Sequence, residues 1–75
     1  MKVNFVDLSG KKFSLEVNYS DKIKTVCEKL LEKVGGKEEY PTGINIVINA
    51  QVLDGNKMIK DYKIKKGDNL NIVPA

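Results

Sequence analysis

The sequence predicts an α+β domain, a mixed sheet of four to five strands packed on one helix. Three observations lead there. Ser20 to Gly36 (SDKIKTVCEKLLEKVGG) carries Ile23, Val26, Cys27, Leu30, Leu31 and Val34 at spacings of three and four, the apolar stripe of one helix face. Residues 1–7 and 13–17 alternate apolar and polar with period two on either side of a glycine turn. Two later segments, Ile44–Ile48 and Leu70–Val73, are short and rich in β-branched residues, as strands are.

Taken in order, MKVNFVD places Met1, Val3 and Phe5 on one face and Lys2 and Asn4 on the other. FSLEV turns Phe13, Leu15 and Val17 inward with Ser14 and Glu16 outward. Between them Leu8-Ser9-Gly10-Lys11 supplies a hairpin turn, Gly10 accepting the positive φ that such turns need. The helix follows, with Lys24, Glu28, Lys29, Glu32 and Lys33 on its wet side. Ser20 and Asp21 are expected to cap its first turn, and Gly35 to end it in the left-handed conformation. Pro41 disfavours helix at Tyr40, so Gly36–Gly43 reads as a polar connection. In INIVI the inward set is Ile44, Ile46 and Ile48, which leaves Val47 outward with Asn45 and Asn49. Val52-Leu53 is a short apolar pair before the turn Asp54-Gly55-Asn56. Ile59, Tyr62 and Ile64 punctuate a segment too irregular for a strand, where one short helical turn fits. A last turn at Lys66-Gly67-Asp68 leads into Leu70 and Ile72, alternating with Asn69, Asn71 and Val73. A helix after a hairpin returns to the same sheet by a right-handed crossover. That order gives the β-grasp arrangement.

Size and composition exclude several functions. Seventy-five residues form one domain near the lower limit for a core without staples. One cysteine rules out an intrachain disulfide and a thiol zinc cluster. The absence of histidine removes the common metal ligand and the usual general base. No cofactor and no metal site are expected, and no enzyme activity. No apolar run approaches the roughly 18 residues of a membrane span. The charge of +3 comes from 13 Lys, no Arg and 10 acids. Lysines are scattered, paired only at Lys11-Lys12 and Lys65-Lys66. Without arginine, the side chain suited to bidentate phosphate and guanine contacts, the pattern reads as a solvated lysine-rich surface.

Leu8-Ser9-Gly10-Lys11 through Leu15-Glu16-Val17, then Ser20-Asp21, Ile23, Val26, Lys29, Lys33 and Gly35, resemble the first half of the ubiquitin family without a gap. Leu53, Asp61-Tyr62, Ile64, Leu70 and Val73 keep that family's pattern after an offset of three residues. The resemblance spans the chain, residues 1–75, and implies a ubiquitin-like fold with a cytoplasmic or nuclear, monomeric life. It also implies a partner-binding patch on the sheet face away from the helix, carried here by Leu8, Val47, Asn71 and Val73. Expected partners are ubiquitin-receptor or proteasome-subunit proteins, as for the docking domain of a shuttle factor. Tyr62 is expected to bury its ring and, as the resemblance implies, to bond its hydroxyl to the backbone near Asp54.

Departures from the family pattern matter. Asn71 stands where ubiquitin has histidine, Asn45 for an arginine, and Asn4 for a phenylalanine of a second surface patch. Gln51 falls at the lysine used for proteasome-directed chains, and Cys27 takes the place of a buried lysine. Val73-Pro74-Ala75 carries no diglycine, and Gly35-Gly36 is internal. The sequence therefore favours a non-conjugated binding module of a larger protein. One alternative is a conjugatable modifier with a trimmed tail. The other is a basic β-grasp scaffold or a nucleic-acid-binding domain using Lys11, Lys12, Lys65 and Lys66; the missing arginines and exposed aromatic platforms argue against nucleic acid.

Overall fold

The computed structural model describes residues 1–75, with every side chain except those of Lys37 and Glu39. Its elements are β1 (Lys2–Val6), β2 (Lys12–Glu16), α1 (Ile23–Lys33), α2 (Gly36–Glu39), β3 (Ile44–Ile48), β4 (Gln51–Val52), a 3-10 turn (Ile59–Tyr62) and β5 (Asn69–Pro74). They build one five-stranded mixed sheet in the order β2-β1-β5-β3-β4. The central pair β1/β5 is parallel and the other pairs are antiparallel. Parallel neighbours cannot be joined by a tight turn, so the chain between them supplies the helix and the second hairpin. This is the β-grasp fold.

The core follows the alternation read from the sequence. Val3 and Phe5 of β1, Ile44 and Ile46 of β3, and Leu70 and Ile72 of β5 are buried. They meet Ile23, Val26, Leu30 and Val34 of the helix stripe, with Val17, Leu53, Ile59 and Ile64 closing the ends. Each such side chain contributes about 1.5–3 kcal/mol by leaving water, so the stripe holds the helix on the sheet. Lys24, Glu28, Lys29, Glu32 and Lys33 are exposed as expected. The inward set is shallower at its margins: Phe13, Leu15 and Ile48 are only half-buried, because β2 lies at the sheet edge and Ile48 at a strand end.

Three local features differ from the sequence expectation. Neither Ser20 nor Asp21 caps α1; its N-cap residue is Lys22, with no side-chain cap bond. Asp21 Oδ2 instead accepts the Asn18 amide at 3.0 Å. The first-turn amides of Ile23 and Lys24 donate to the carbonyls of Lys57 and Gly55, at 2.8 and 3.0 Å. A distant loop thus satisfies the groups that a helix start leaves open. Gly55 lies so near the helix that an added Cβ would sit 3.4 Å from Lys24 Cβ.

The second difference is an extra helical turn. Gly35 stops α1 at φ 111°, as read, but α2 starts at once and runs to Glu39 before the pre-proline Tyr40. The connection is therefore not wholly irregular, while α1 remains the one long helix. The third is β4, which pairs with β3 through a two-residue turn at Asn49-Ala50. Both turn residues have positive φ, 49° and 66°, as the tightest hairpins require.

Candidate functional site

The sheet has two faces, and α1 with the core covers one. On the other, strand register aligns a row of side chains across all five strands. Lys12 lies opposite Val6, Val6 opposite Asn71, Asn71 opposite Val47, and Val47 opposite Val52. Adjacent strands are about 4.8 Å apart, so these neighbours form one continuous strip. Val73 follows two residues along β5, facing Asn45. Leu8 stands in the β1–β2 turn, two residues beyond Val6.

Of the four residues expected from sequence, Leu8 is 75% exposed. Asn71 is exposed, and Val47 and Val73 are half-buried. Register brings Val47 and Asn71 side by side and puts Val73 one step away. Sequence reasoning missed Val52, 55% exposed, and the half-buried Val6. Val6 was open to the parity rule, since even positions of β1 face outward. Val52 was not, because its place depends on the Asn49-Ala50 turn.

The polar frame of this face is uncharged along much of its length. Asn4, Asn45, Asn69 and Asn71 occupy outward positions on β1, β3 and β5. Asn4 Oδ1 accepts the Ser14 hydroxyl at 3.3 Å. The hairpin turn beside Leu8 is held by Asp7. Its Oδ1 accepts the Ser9 hydroxyl at 2.7 Å and the amides of Ser9 and Lys11 at 2.9 Å each. The Ser9 hydroxyl, then the Lys11 and Ser9 amides, hold the Asp7 carboxyl below its usual value. Leu8 is thus presented by an ordered turn.

The β2 edge offers a second surface. Met1 and Val17 exchange both hydrogen bonds, and Asp7 N–H donates to Lys11, so odd residues of β2 pair inward. The main-chain groups of Lys12, Ser14 and Glu16 therefore face the free edge. Lys33 Nζ donates to the Ser14 carbonyl there. Beside the edge lies a depression of about 340 Å³ lined by Phe13, Lys11, Lys33, Val34 and Ser9.

Among the described residues no group of His, Cys, Asp and Glu could hold a metal ion. No helix among them is long and apolar enough to cross a membrane. Cys27 is half-buried; burial first, then the Glu28 carboxylate, push its thiol up to about 11. It is therefore a small apolar side chain at neutral pH.

The family described as ubiquitin-2 like Rad60 SUMO-like matches residues 1–73. The chain belongs to this family. Its sheet order, single long helix and buried alternation are those of a ubiquitin-like domain, and the match covers every element described above but for Pro74 at the end of β5. Among curated proteins no relative matches. The Tyr62–Asp54 bond implied by the resemblance is present, with the Asp54 amide donating to Tyr62 Oη at 2.7 Å. Tyr62 is half-buried, and Lys57 Nζ stands 5.9 Å from its ring centroid.

Proposed function

We propose that this ubiquitin-like domain is a protein-binding module that recognises its partner through the open sheet face. The observation that carries the reading is the strip Val6-Asn71-Val47-Val52, joined in register and extended by Val73 and Leu8. Apolar side chains here face water while the opposite face has a complete core. The strip is small, and interfaces below about 1,200 Å² are generally transient, so binding is weak and reversible. A partner with an apolar helix or strand and few charges at its centre fits the surrounding asparagines. Docking of a longer protein onto a ubiquitin-receptor or proteasome subunit is one such use.

The test is a nuclear magnetic resonance titration of the labelled domain with a ubiquitin-interacting helix and with a proteasome receptor subunit. Shifts are expected at Leu8, Val47, Val52 and Val73, lost in Val47→Asp. Saturating partner without shifts on this face would remove the reading.

A second reading has its own observation, the edge-facing main chain of Lys12, Ser14 and Glu16 beside the Phe13 depression, where the exposed Lys33 side chain occupies the Ser14 carbonyl. An extended peptide could add there as a sixth strand, with main-chain bonds giving affinity and the depression taking one side chain. Shifts confined to residues 11–16 and 33–35 in the same titration would select it.

A further inference from the structure

We propose that the pole of the molecule where α1 begins binds single-stranded nucleic acid without sequence preference. Two segments are stitched together there. Lys22 bridges to Met58, Ile59 N–H donates to Asp21, and Lys60 N–H donates to Tyr19, at 2.9 and 3.0 Å. With the Ile23 and Lys24 caps, these bonds bring Lys22 and Lys24 alongside Lys57 and Lys60, and Lys63 follows at the end of the 3-10 turn. All five are exposed.

The carboxylates of this pole keep their charge, and each accepts a backbone amide. Asp21 accepts the Asn18 amide, Asp54 the Asn56 amide and Asp61 the Met58 amide, at 2.8–3.0 Å. Among the described residues the two ion pairs are Met1–Glu16 and Lys29–Asp21, so none of the five lysines is in one. Lys22 and Lys24 also stand at the positive end of the α1 dipole, with no acid in its first turn. That placement works against helix stability. A local rule broken in this way fits a site kept for binding.

Tyr19 decides the kind of anion. The residue is 58% exposed and its carbonyl accepts the Lys60 amide. Lysines that neutralise phosphates beside an exposed aromatic ring that stacks on bases are the two parts of a single-strand site. Lysine meets phosphate as a point charge, and the absence of arginine therefore argues against base reading rather than against binding. An acidic protein segment would use the lysines but gain little from the ring.

The experiment is fluorescence anisotropy of a labelled oligothymidylate across a salt series. Four phosphate contacts give a slope of log K against log salt of about −3. Changing Lys22, Lys57, Lys60 and Lys63 together to Gln is expected to weaken binding at least tenfold. The same change at Lys11, Lys12, Lys65 and Lys66, which removes equal charge elsewhere, is expected to cost under threefold. Tyr19→Ala should weaken binding about fivefold or more and leave the salt slope unchanged. Equal losses in the two lysine sets, or no binding at low salt, would overturn the proposal. So would Tyr19→Ala without effect while polyglutamate displaces the oligonucleotide, which would assign the pole to an acidic protein. Amide shifts in the unaltered domain provide a check independent of variant folding: they should fall within residues 19–24 and 55–63, and shifts elsewhere count against it.

Discussion

Replacing Tyr62 with phenylalanine removes one oxygen and, by the connections seen here, should loosen a helix start more than thirty residues away. Tyr62 Oη accepts the Asp54 amide at 2.7 Å. Asp54 orders its own loop, its side chain taking the Asn56 amide and its carbonyl the Lys57 amide. The carbonyls of Gly55 and Lys57 in that loop cap Lys24 and Ile23. A neutral hydrogen bond contributes about 0.5–1.5 kcal/mol net, and because Asp54 is exposed, water can replace part of it. The expected loss is therefore in the lower half of that range. At about 4–8 °C per kcal/mol in a domain of this size, the melting temperature should fall by roughly 2–8 °C. Amide exchange read by nuclear magnetic resonance is the decisive assay. If the loop opens as a unit, exchange at Ile23 and Lys24 should quicken roughly two- to fivefold, beyond any change at Ile72. A lower melting temperature with wild-type exchange at Ile23 and Lys24 would show that Tyr62 does not act through the loop.

Leu30→Ala, at a fully buried stripe position, should cost about 2–5 kcal/mol. Set against a stability of roughly 4–11 kcal/mol for a chain this long, the variant should be near unfolding in a denaturant melt; an unchanged midpoint would overturn the stripe. Ala50 holds φ 66°, and Ala50→Gly should raise stability by about 0.5–1 kcal/mol by relieving the left-handed strain, seen as a higher melting temperature. Asp7 titrates below its usual value, so its carboxylate supports the hairpin fully above the unfolded pKa, about 3.9. That support is lost as pH falls through the lower folded pKa. Chemical shifts of the Ser9 and Lys11 amides should follow that titration, and Asp7→Asn should flatten it.

What was legible in the sequence was whatever depends on side-chain parity. Val3, Phe5, Ile46 and Ile72 are buried because every second residue of their strands is apolar, and the α1 stripe repeats at helical spacing. The same parity placed Val47 and Val73 outward. The cap of α1 was illegible because its acceptors are main-chain carbonyls of Gly55 and Lys57, and a carbonyl has no sequence signature. α2 was missed because Gly-Lys-Glu-Glu has no apolar residue to mark a buried side. β4 is two residues long, too short for any period, and its turn lacks the Asn-Gly pair that announces a hairpin. Without that hairpin Val52 could not be joined to Val47, so the strip looked shorter than it is. The exposure of Tyr19 depends on how residues 18–22 lie against the 3-10 turn, which no local pattern encodes.

The two proposed surfaces differ in chemistry, and salt separates them. A sheet covered by one long helix leaves a face that must be polar, paired or used. Here the middle of that face is asparagine and valine, with Lys12 at the edge of the Val47 row. Binding there draws on apolar burial and short-range hydrogen bonds, which salt near 0.15 M hardly screens. Five exposed lysines instead stand at the α1 pole, where counterion release makes affinity fall steeply with salt. A partner that contacts both surfaces would therefore lose only part of its affinity as salt rises. The residue left at high salt should disappear in Val47→Asp and be untouched by the four lysine changes. If the lysine changes abolished it, binding attributed to the sheet face would instead be electrostatic.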